Sequence, residues 1–160
     1  MNKSYVFILL LLSGLAFAES KGVTIDVGLS PAGSFQITSS KVKGDMSKAG
    51  GKISGKNISV SVRSMKTGIE LRDEHMQKRL EPKKHKKIII EQAIGAKGNG
   101  VAIINVKGIK KKIKFAYKEM GSLVKATFKL SLKDFKIKDL RYMGVGVEDE
   151  VSVTALVPLK

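Results

Sequence analysis

The sequence contains no cysteine among its 160 residues, and tryptophan is also absent. Without thiols the chain forms no disulfides. Thiol nucleophiles, thiolate zinc sites, iron–sulfur clusters and covalent haem attachment are excluded for the same reason. Stability therefore has to come from burial of an apolar core, and the length suits one domain of that kind.

Acidic residues are scarce: 14 Asp and Glu stand against 30 Lys and Arg, a net charge of +16 at pH 7. The two histidines, His75 and His85, lack the spacing of a metal-binding pair, and no nucleophile-elbow motif is present. The adjacent acids Glu148, Asp149 and Glu150 are more typical of a solvated turn than of a cation site. We therefore expect no enzyme activity, no catalytic cofactor and no metal centre.

The N-terminus has the pattern of a secretory signal peptide. Lys3 precedes an apolar run over residues 6–12, and the small-residue pattern Ala16-Phe17-Ala18 follows. The run is too short to span a bilayer, so a membrane anchor or a buried helix is the weaker alternative. Cleavage after Ala18 leaves one domain, residues 19–160, with a net charge of +15. We expect it in the periplasm or, alternatively, secreted outside the cell.

Apolar residues recur at every second position through most of the remaining chain, which is the period of a β-strand with one buried face. Glycine-rich turns between several of the runs predict hairpins. The pattern predicts eight strands, over residues 23–29, 35–37, 58–62, 88–94, 101–107, 113–117, 124–132 and 151–159.

Residues 67–80 break this alternation. Ile69, Asp73, Met76 and Leu80 follow one another at three- and four-residue steps, which predicts a short helix that ends before Pro82. Single-faced strands joined by short turns favour an antiparallel sheet, and eight strands can close into a barrel. The predicted fold is all-β: an eight-stranded antiparallel barrel with one short helix between strands 3 and 4. A two-sheet sandwich is the alternative. The interior of such a barrel is filled by side chains or holds one small ligand.

Three segments resemble the YceI-like family, secreted bacterial proteins with a lipocalin-like barrel. Residues 60–68 end a strand in a Ser- and Thr-containing turn, and Arg72-Asp73-Glu74-His75 follows as an Arg-Asp-x-His helix. Residues 132–137 resemble the family's Asp-Phe-Gly-Ile segment, and residues 144–151 resemble its closing strand. The chain departs from the family at residues 79–87, which are highly basic.

The resemblance implies a non-catalytic carrier that holds an isoprenoid-type lipid, such as an isoprenoid quinone or a polyprenyl chain, in the barrel lumen. A lumen of apolar side chains needs no dedicated polar residue for this, because burial gains roughly 25 cal/mol per Å² of apolar surface. Tyr117 has a polar tip that could meet a quinone carbonyl. A dry, packed core is the alternative. The residues expected to line the lumen are Val60, Val62, Ile103, Phe115, Tyr117, Phe128, Leu130, Val153 and Ala155.

Four polar residues at the predicted helix, Thr67, Arg72, Asp73 and His75, could hold a ligand head group at the barrel mouth. Arg72 and His75 are three residues apart and share a helix face, whereas Asp73 lies off that line. We therefore favour a structural role, in which Asp73 or Thr67 bonds to loop amides.

Two lysine clusters could meet phosphates of nucleic acid or of anionic lipid. Proteins that bind single-stranded nucleic acid place aromatic rings beside their cations for base stacking. No aromatic residues interleave with these lysines, which argues against nucleic acid as the partner. An anionic membrane remains a partner hypothesis, and a solvated outer face is the simplest alternative. The alternative function is a ligand-free stress-response or structural barrel whose basic surface binds a membrane or another polyanion. The oligomeric state stays open, with a homodimer as one option. The cluster residues are Lys83, Lys84, Lys86, Lys87, Lys110, Lys111, Lys112 and Lys114.

Overall fold

Antiparallel pairing joins the strands of the chain into one continuous sheet. The computed structural model describes residues 19–142 and 144–160, so the predicted signal peptide lies outside the described residues. One helix, α1 (Glu70–Leu80), separates β5 from β6. The strands are β1 (Gly22–Ser30), β2 (Ser34–Ser39), β3 (Val42–Lys43), β4 (Met46–Ala49), β5 (Lys52–Ser61), β6 (Lys87–Ala96), β7 (Asn99–Val106), β8 (Ile109–Met120), β9 (Leu123–Ser131), β10 (Arg141–Tyr142) and β11 (Val145–Pro158).

The sheet runs in the order β2-β1-β11-β9-β8-β7-β6-β5-β3, with β4 paired to β5 and β10 paired to β11. Its two edges approach each other at two places. Thr38 of β2 exchanges backbone hydrogen bonds of 2.8 and 2.9 Å with Lys66, which follows β5. At the other place Met46 of β4 bridges to Leu159, and the Lys160 amide donates to the Met46 carbonyl at 2.8 Å. The predicted all-β barrel is therefore confirmed, and it is nearly closed.

The described sheet has eleven strands where eight were predicted, and the predicted third strand, observed as β5, differs most. That strand begins at Lys52, before the predicted start at residue 58, and it ends before Val62, which opens a 3-10 turn. Two features hide its first half. Gly55 interrupts the apolar pattern because the Met46 sulfur occupies the space of a side chain there, 2.5 Å from where a Cβ would lie. Asn57 has φ 54°, and this left-handed residue shifts the inward–outward alternation by one position. The short strands β3, β4 and β10 have too few residues to show a period.

The barrel wall between β8 and β9 is paired over only part of its length. Ala116–Met120 pairs with Leu123–Thr127. The first half of β8 does not pair with β9. The segment that follows β9 packs inside the barrel next to this unpaired half of β8. In that segment Phe135 is 2% exposed and Ile137 is 8% exposed, and both join the same core cluster as Val106. This segment therefore closes the core at the end of the barrel near α1.

Two aromatic rings pack at the opposite end, beside the β6–β7 hairpin. Gly95 and Gly100 are directly paired there. A Cβ on Gly95 would lie 2.8 Å from Tyr117 Cε1, and a Cβ on Gly100 would collide with the Phe115 ring. The two ring centroids are 6.1 Å apart. Glycine is required at both positions because the rings take the space that side chains would fill.

Candidate functional site

The barrel encloses a cavity of about 880 Å³. Its size lies in the range of roughly 300–1,000 Å³ that is usual for ligand pockets. Aliphatic and aromatic side chains from most of the strands form nearly all of its wall. Within residues 19–142 and 144–160, no Asp or Glu lines it, and its polar lining residues are Ser59, Arg72, His75, Lys78, Arg79 and Arg141.

Four inward-facing alanines leave much of this space open. Ala93 of β6 is directly paired with Ala102 of β7, and Ala126 of β9 is directly paired with Ala155 of β11. All four line the cavity. Because directly opposed Cβ atoms are only about 4.5–5.5 Å apart, larger side chains at these positions would project into the lumen. The volume of the cavity therefore depends on these two cross-strand pairs.

Most of the residues expected in the lumen line the cavity: Val60, Phe115, Phe128, Leu130, Val153 and Ala155. Val62 is not in the wall, because it lies in the 3-10 turn after β5, where it is 1% exposed and packs in the core cluster near α1. Tyr117 is also outside the wall. Its ring packs beside Phe115 and over Gly95, so it does not offer its hydroxyl to the cavity.

The expected inward orientation of Ile103 is wrong. Ile103 is half-buried on the outer face of β7, and its neighbours Ala102, Ile104 and Val106 line the cavity instead. Both faces of this strand are apolar in sequence, so the alternation does not identify the inner one. Asn105 was the available signal, because it shares the outer face with Ile103 and donates a hydrogen bond of 3.1 Å to Glu91.

Sequence reasoning also missed the contribution of the first two strands. Inward residues of β1 and β2 form one wall of the cavity, although their alternation was already visible in the sequence. They are Val23, Ile25, Val27, Leu29, Phe35 and Ile37. Ala93, Ala102 and Ala126 and the basic residues Lys78, Arg79 and Arg141 were missed as well, because nothing in their local pattern distinguishes them from other surface or core positions.

Helix α1 forms one side of the cavity mouth, and two contacts join the helix to the other side of the mouth. The Arg72 guanidinium lies 4.3 Å from the centroid of the Phe35 ring on β2, a cation–π geometry. The Arg79 Nη2 donates a hydrogen bond of 3.4 Å to the carbonyl of Asp139, just before β10. Arg72 and His75 both line the cavity, as expected for residues on one helix face.

Thr67 and Asp73 do not line the cavity and instead shape the loop that leads into α1. The Thr67 amide and hydroxyl both donate to Asp73 Oδ1, at 2.6 and 2.8 Å, and Lys66 Nζ lies 3.5 Å from the other oxygen. Burial alone would raise the pKa of Asp73. The two Thr67 hydrogen bonds and the Lys66 charge outweigh burial and lower this pKa below its ordinary value. Asp73 thus bonds to a loop amide as a carboxylate.

The first lysine cluster and Lys110 lie at the α1 end of the barrel, whereas Lys112 and Lys114 extend along β8 toward the β6–β7 hairpin, and all eight lysines are exposed. Lys83, Lys84 and Lys86 lie between α1 and β6. The β7–β8 turn packs beside them, since a Cβ on Gly108 would lie 3.3 Å from the His85 ring. Lys110 Nζ is 3.0 Å from a Glu91 oxygen, and hydrogen bonding from this lysine lowers the pKa of Glu91. Most of the cluster charge remains available to an outside partner.

The described part of the chain holds neither a metal-binding cluster nor a membrane-spanning helix. No group of three or more His, Asp or Glu side chains there is placed to hold a metal ion. No helix among these residues has the length and apolar character needed to cross a membrane.

The YceI-like domain model matches residues 20–158 of the sequence, whereas a comparison with curated proteins gives no match. Among solved structures, Burkholderia cenocepacia BcnA superposes with a TM-score of 0.67 at 11% identity, covering 86% of this chain and 94% of that one. A polyisoprenoid-binding domain from Saccharophagus degradans, implicated in plant cell wall breakdown, gives 0.63 at 11% identity, covering 86% and 91%. A mutant of the CJ YCEI protein gives 0.60 at 11% identity, covering 98% and 96%. These structures share the fold of this chain.

Proposed function

The chain belongs to the YceI-like family, and from that premise we propose that it is a non-catalytic carrier of an isoprenoid-type lipid, an isoprenoid quinone or a polyprenyl chain. The observation that supports this most directly is the cavity of about 880 Å³, whose described lining includes no carboxylate and few polar groups. The name of the similar Saccharophagus degradans domain, which is described as polyisoprenoid-binding, points to the same class of ligand.

The energetics favour a long chain over a short one. Burial of one five-carbon isoprene unit gains about 4 kcal/mol, taken at about 0.8 kcal/mol per carbon. Association itself costs about 4–15 kcal/mol. Several units therefore have to enter the lumen before binding becomes tight. A carrier of this kind would bind a polyprenyl chain mainly through the tail, with the head group near the mouth that α1 forms.

The proposed carrier works in an aqueous compartment outside the cytoplasm. Residues 1–18 have the pattern of a cleaved secretory signal peptide. A polyprenyl chain is nearly insoluble in water, so a protein that moves it between membranes has to shield the tail, and an apolar lumen would do so. Periplasmic location is our first proposal, and release outside the cell is the alternative.

Native mass spectrometry of the protein purified from its own periplasm or growth medium tests the proposal. Organic extraction and mass analysis then identify whatever is released. We expect one polyprenyl species at about one molecule per chain. A mass equal to that of the protein alone, with no binding when isoprenoid quinones are added back in detergent, would contradict the carrier function.

A second candidate function is a barrel without a lumen ligand whose basic surface binds an anionic membrane or another polyanion. Its support is the set of eight exposed lysines that runs from the α1 end of the barrel along β8. Binding of this kind weakens steeply with salt, because it depends on release of counterions and on screened charge. A polyanion affinity that falls with salt, together with a ligand-free lumen in the experiment above, would favour this candidate.

A further inference from the structure

The mouth of the cavity presents an exposed apolar pair. Ile69 is 51% exposed and Leu71 is 47% exposed, the two highest values among the large hydrophobic side chains of the described residues. They lie on either side of Glu70, the first residue of α1, and both line the cavity. The apolar surface of the lumen therefore continues onto the outside of the protein at this point. Exposed apolar surface of this kind is typical of an interaction site.

The rim around this pair is cationic. Asp73 is paired with Lys66, and the exposed Glu70 and Glu74 do not line the cavity, so the described lining carries no negative charge. At the end of the helix, Glu81 is paired with Lys84. Four basic side chains line the mouth, namely Arg72, Lys78, Arg79 and Arg141.

The loop that carries Ile69 is held in place before any partner arrives. The Thr67 hydroxyl accepts a hydrogen bond from the Ile69 amide at 3.3 Å, while Asp73 accepts two hydrogen bonds from Thr67. A surface that is already ordered loses little conformational freedom on binding, so more of its contact energy appears as affinity.

We propose that the rim, defined as Ile69, Leu71, Arg72, Lys78, Arg79 and Arg141, docks on an anionic lipid bilayer. The two aliphatic side chains enter the interfacial region of the bilayer, and the cations contact lipid phosphates. Apolar residues flanked by Lys and Arg are the composition of surfaces that bind in this way. The inference rests on the proposed carrier function, because docking would let an isoprenoid pass between bilayer and lumen without crossing water.

The first lysine cluster acts at longer range than the apolar pair. The first cluster follows the C-terminal end of α1, whose 11 residues place it about 16 Å from Ile69 and Leu71 at the other end of the helix. That separation is between one and two Debye lengths at about 0.1 M salt. The first cluster therefore steers the α1 end of the barrel toward an anionic surface, while insertion into the bilayer belongs to Ile69 and Leu71.

Vesicle flotation tests the docking surface. The purified protein is mixed with isoprenoid-free vesicles of phosphatidylcholine, with and without phosphatidylglycerol. The test variant is Ile69→Asn/Leu71→Asn. The control is Ile94→Asn/Val101→Asn, an exposed and directly paired couple at 45% and 40% exposure on β6 and β7, outside the cavity wall. We expect the test variant to partition into anionic vesicles roughly 30-fold more weakly than the unchanged protein, because it loses the half-burial of two aliphatic side chains.

The control should partition like the unchanged protein, and circular dichroism should show both variants folded. Absence of partitioning by the unchanged protein would overturn the proposal, as would equal partitioning of the test variant or equal loss in the control. Because these vesicles contain no isoprenoid, docking is measured apart from lumen binding. Loading of the unchanged protein from detergent is measured in parallel, so failure of the carrier function would be recognised separately.

Discussion

Replacement of Ala126 by Phe should separate a ligand cavity from a packed core. Ala126 lies on the inner face of β9, directly opposite Ala155, and lines the lumen. The new ring adds six carbon atoms where the wall now has a methyl group. Those atoms take the place of about one isoprene unit, whose burial contributes about 4 kcal/mol. We expect affinity for an isoprenoid quinone to fall by up to roughly 1,000-fold, and by about tenfold if the tail shifts toward the mouth.

Thr127→Phe provides the matched control. Thr127 is the next residue on the same strand, and it is exposed on the outer face, where it pairs with Thr154. Both variants and the unchanged protein would be titrated with quinone in detergent micelles, and bound quinone would be extracted and measured by absorbance. Thermal unfolding of the three ligand-free proteins is followed by circular dichroism.

The two readouts answer different questions. In a filled core the extra ring of Ala126→Phe would overpack and destabilise the protein by about 1–3 kcal/mol. In a cavity the ring has space, so the unfolding temperature should stay level or rise. Unchanged quinone affinity in Ala126→Phe, or an equal loss of affinity in Thr127→Phe, would refute the lumen as the binding site.

Three further predictions concern stability. Asp73→Asn should lower the free energy of unfolding in urea by about 1–2 kcal/mol at pH 7, since a buried acceptor of the Thr67 amide is weakened. Folding lowers the pKa of Asp73. The stability that its carboxylate contributes is therefore fully present above the unfolded pKa of about 4 and is lost as pH falls through the folded pKa. A difference in unfolding free energy between Asp73→Asn and the unchanged protein that persists at low pH would contradict this. Phe135→Ala should cost about 3–5 kcal/mol in thermal unfolding, because the side chain is 2% exposed. Gly100→Ala should destabilise through a collision with an aromatic ring of β8, whereas Gly146→Ala, with only one neighbouring atom at 4.0 Å, should not; equal melting temperatures would count against the collision.

Strand periodicity predicted most of the barrel because a wall with one apolar and one solvated face leaves a two-residue pattern in the sequence. β9 shows this clearly, since its inner residues Val124, Ala126 and Phe128 alternate with polar ones. The pattern is lost where a strand shifts its register, as at Asn57 in β5 and between Ile90 and Gln92 in β6.

The wall of the cavity was harder to predict than the strands, because it depends on which of two apolar faces turns inward. On β7 only Asn105 distinguishes the faces, and the alternation of Val101 and Ile103 is otherwise as convincing as that of Ala102 and Ile104. The mouth was harder still. Arg72 and Arg141 both line the cavity although they are 69 positions apart in sequence, and no local pattern reports that they share it.

The distribution of the core explains how the barrel can keep a cavity at its centre. The most fully buried large side chains fall into two groups at opposite ends: Ile53 and Val124 belong to the cluster near the β6–β7 hairpin, and Phe135, Met65 and Val62 belong to the cluster near α1. Alanine pairs line the lumen at Ala93–Ala102 and Ala126–Ala155. Because large-to-small changes are costly where packing is dense, stability is concentrated in these two clusters, and the lumen widens where the inward residues of the first cluster and its packing partners are alanines.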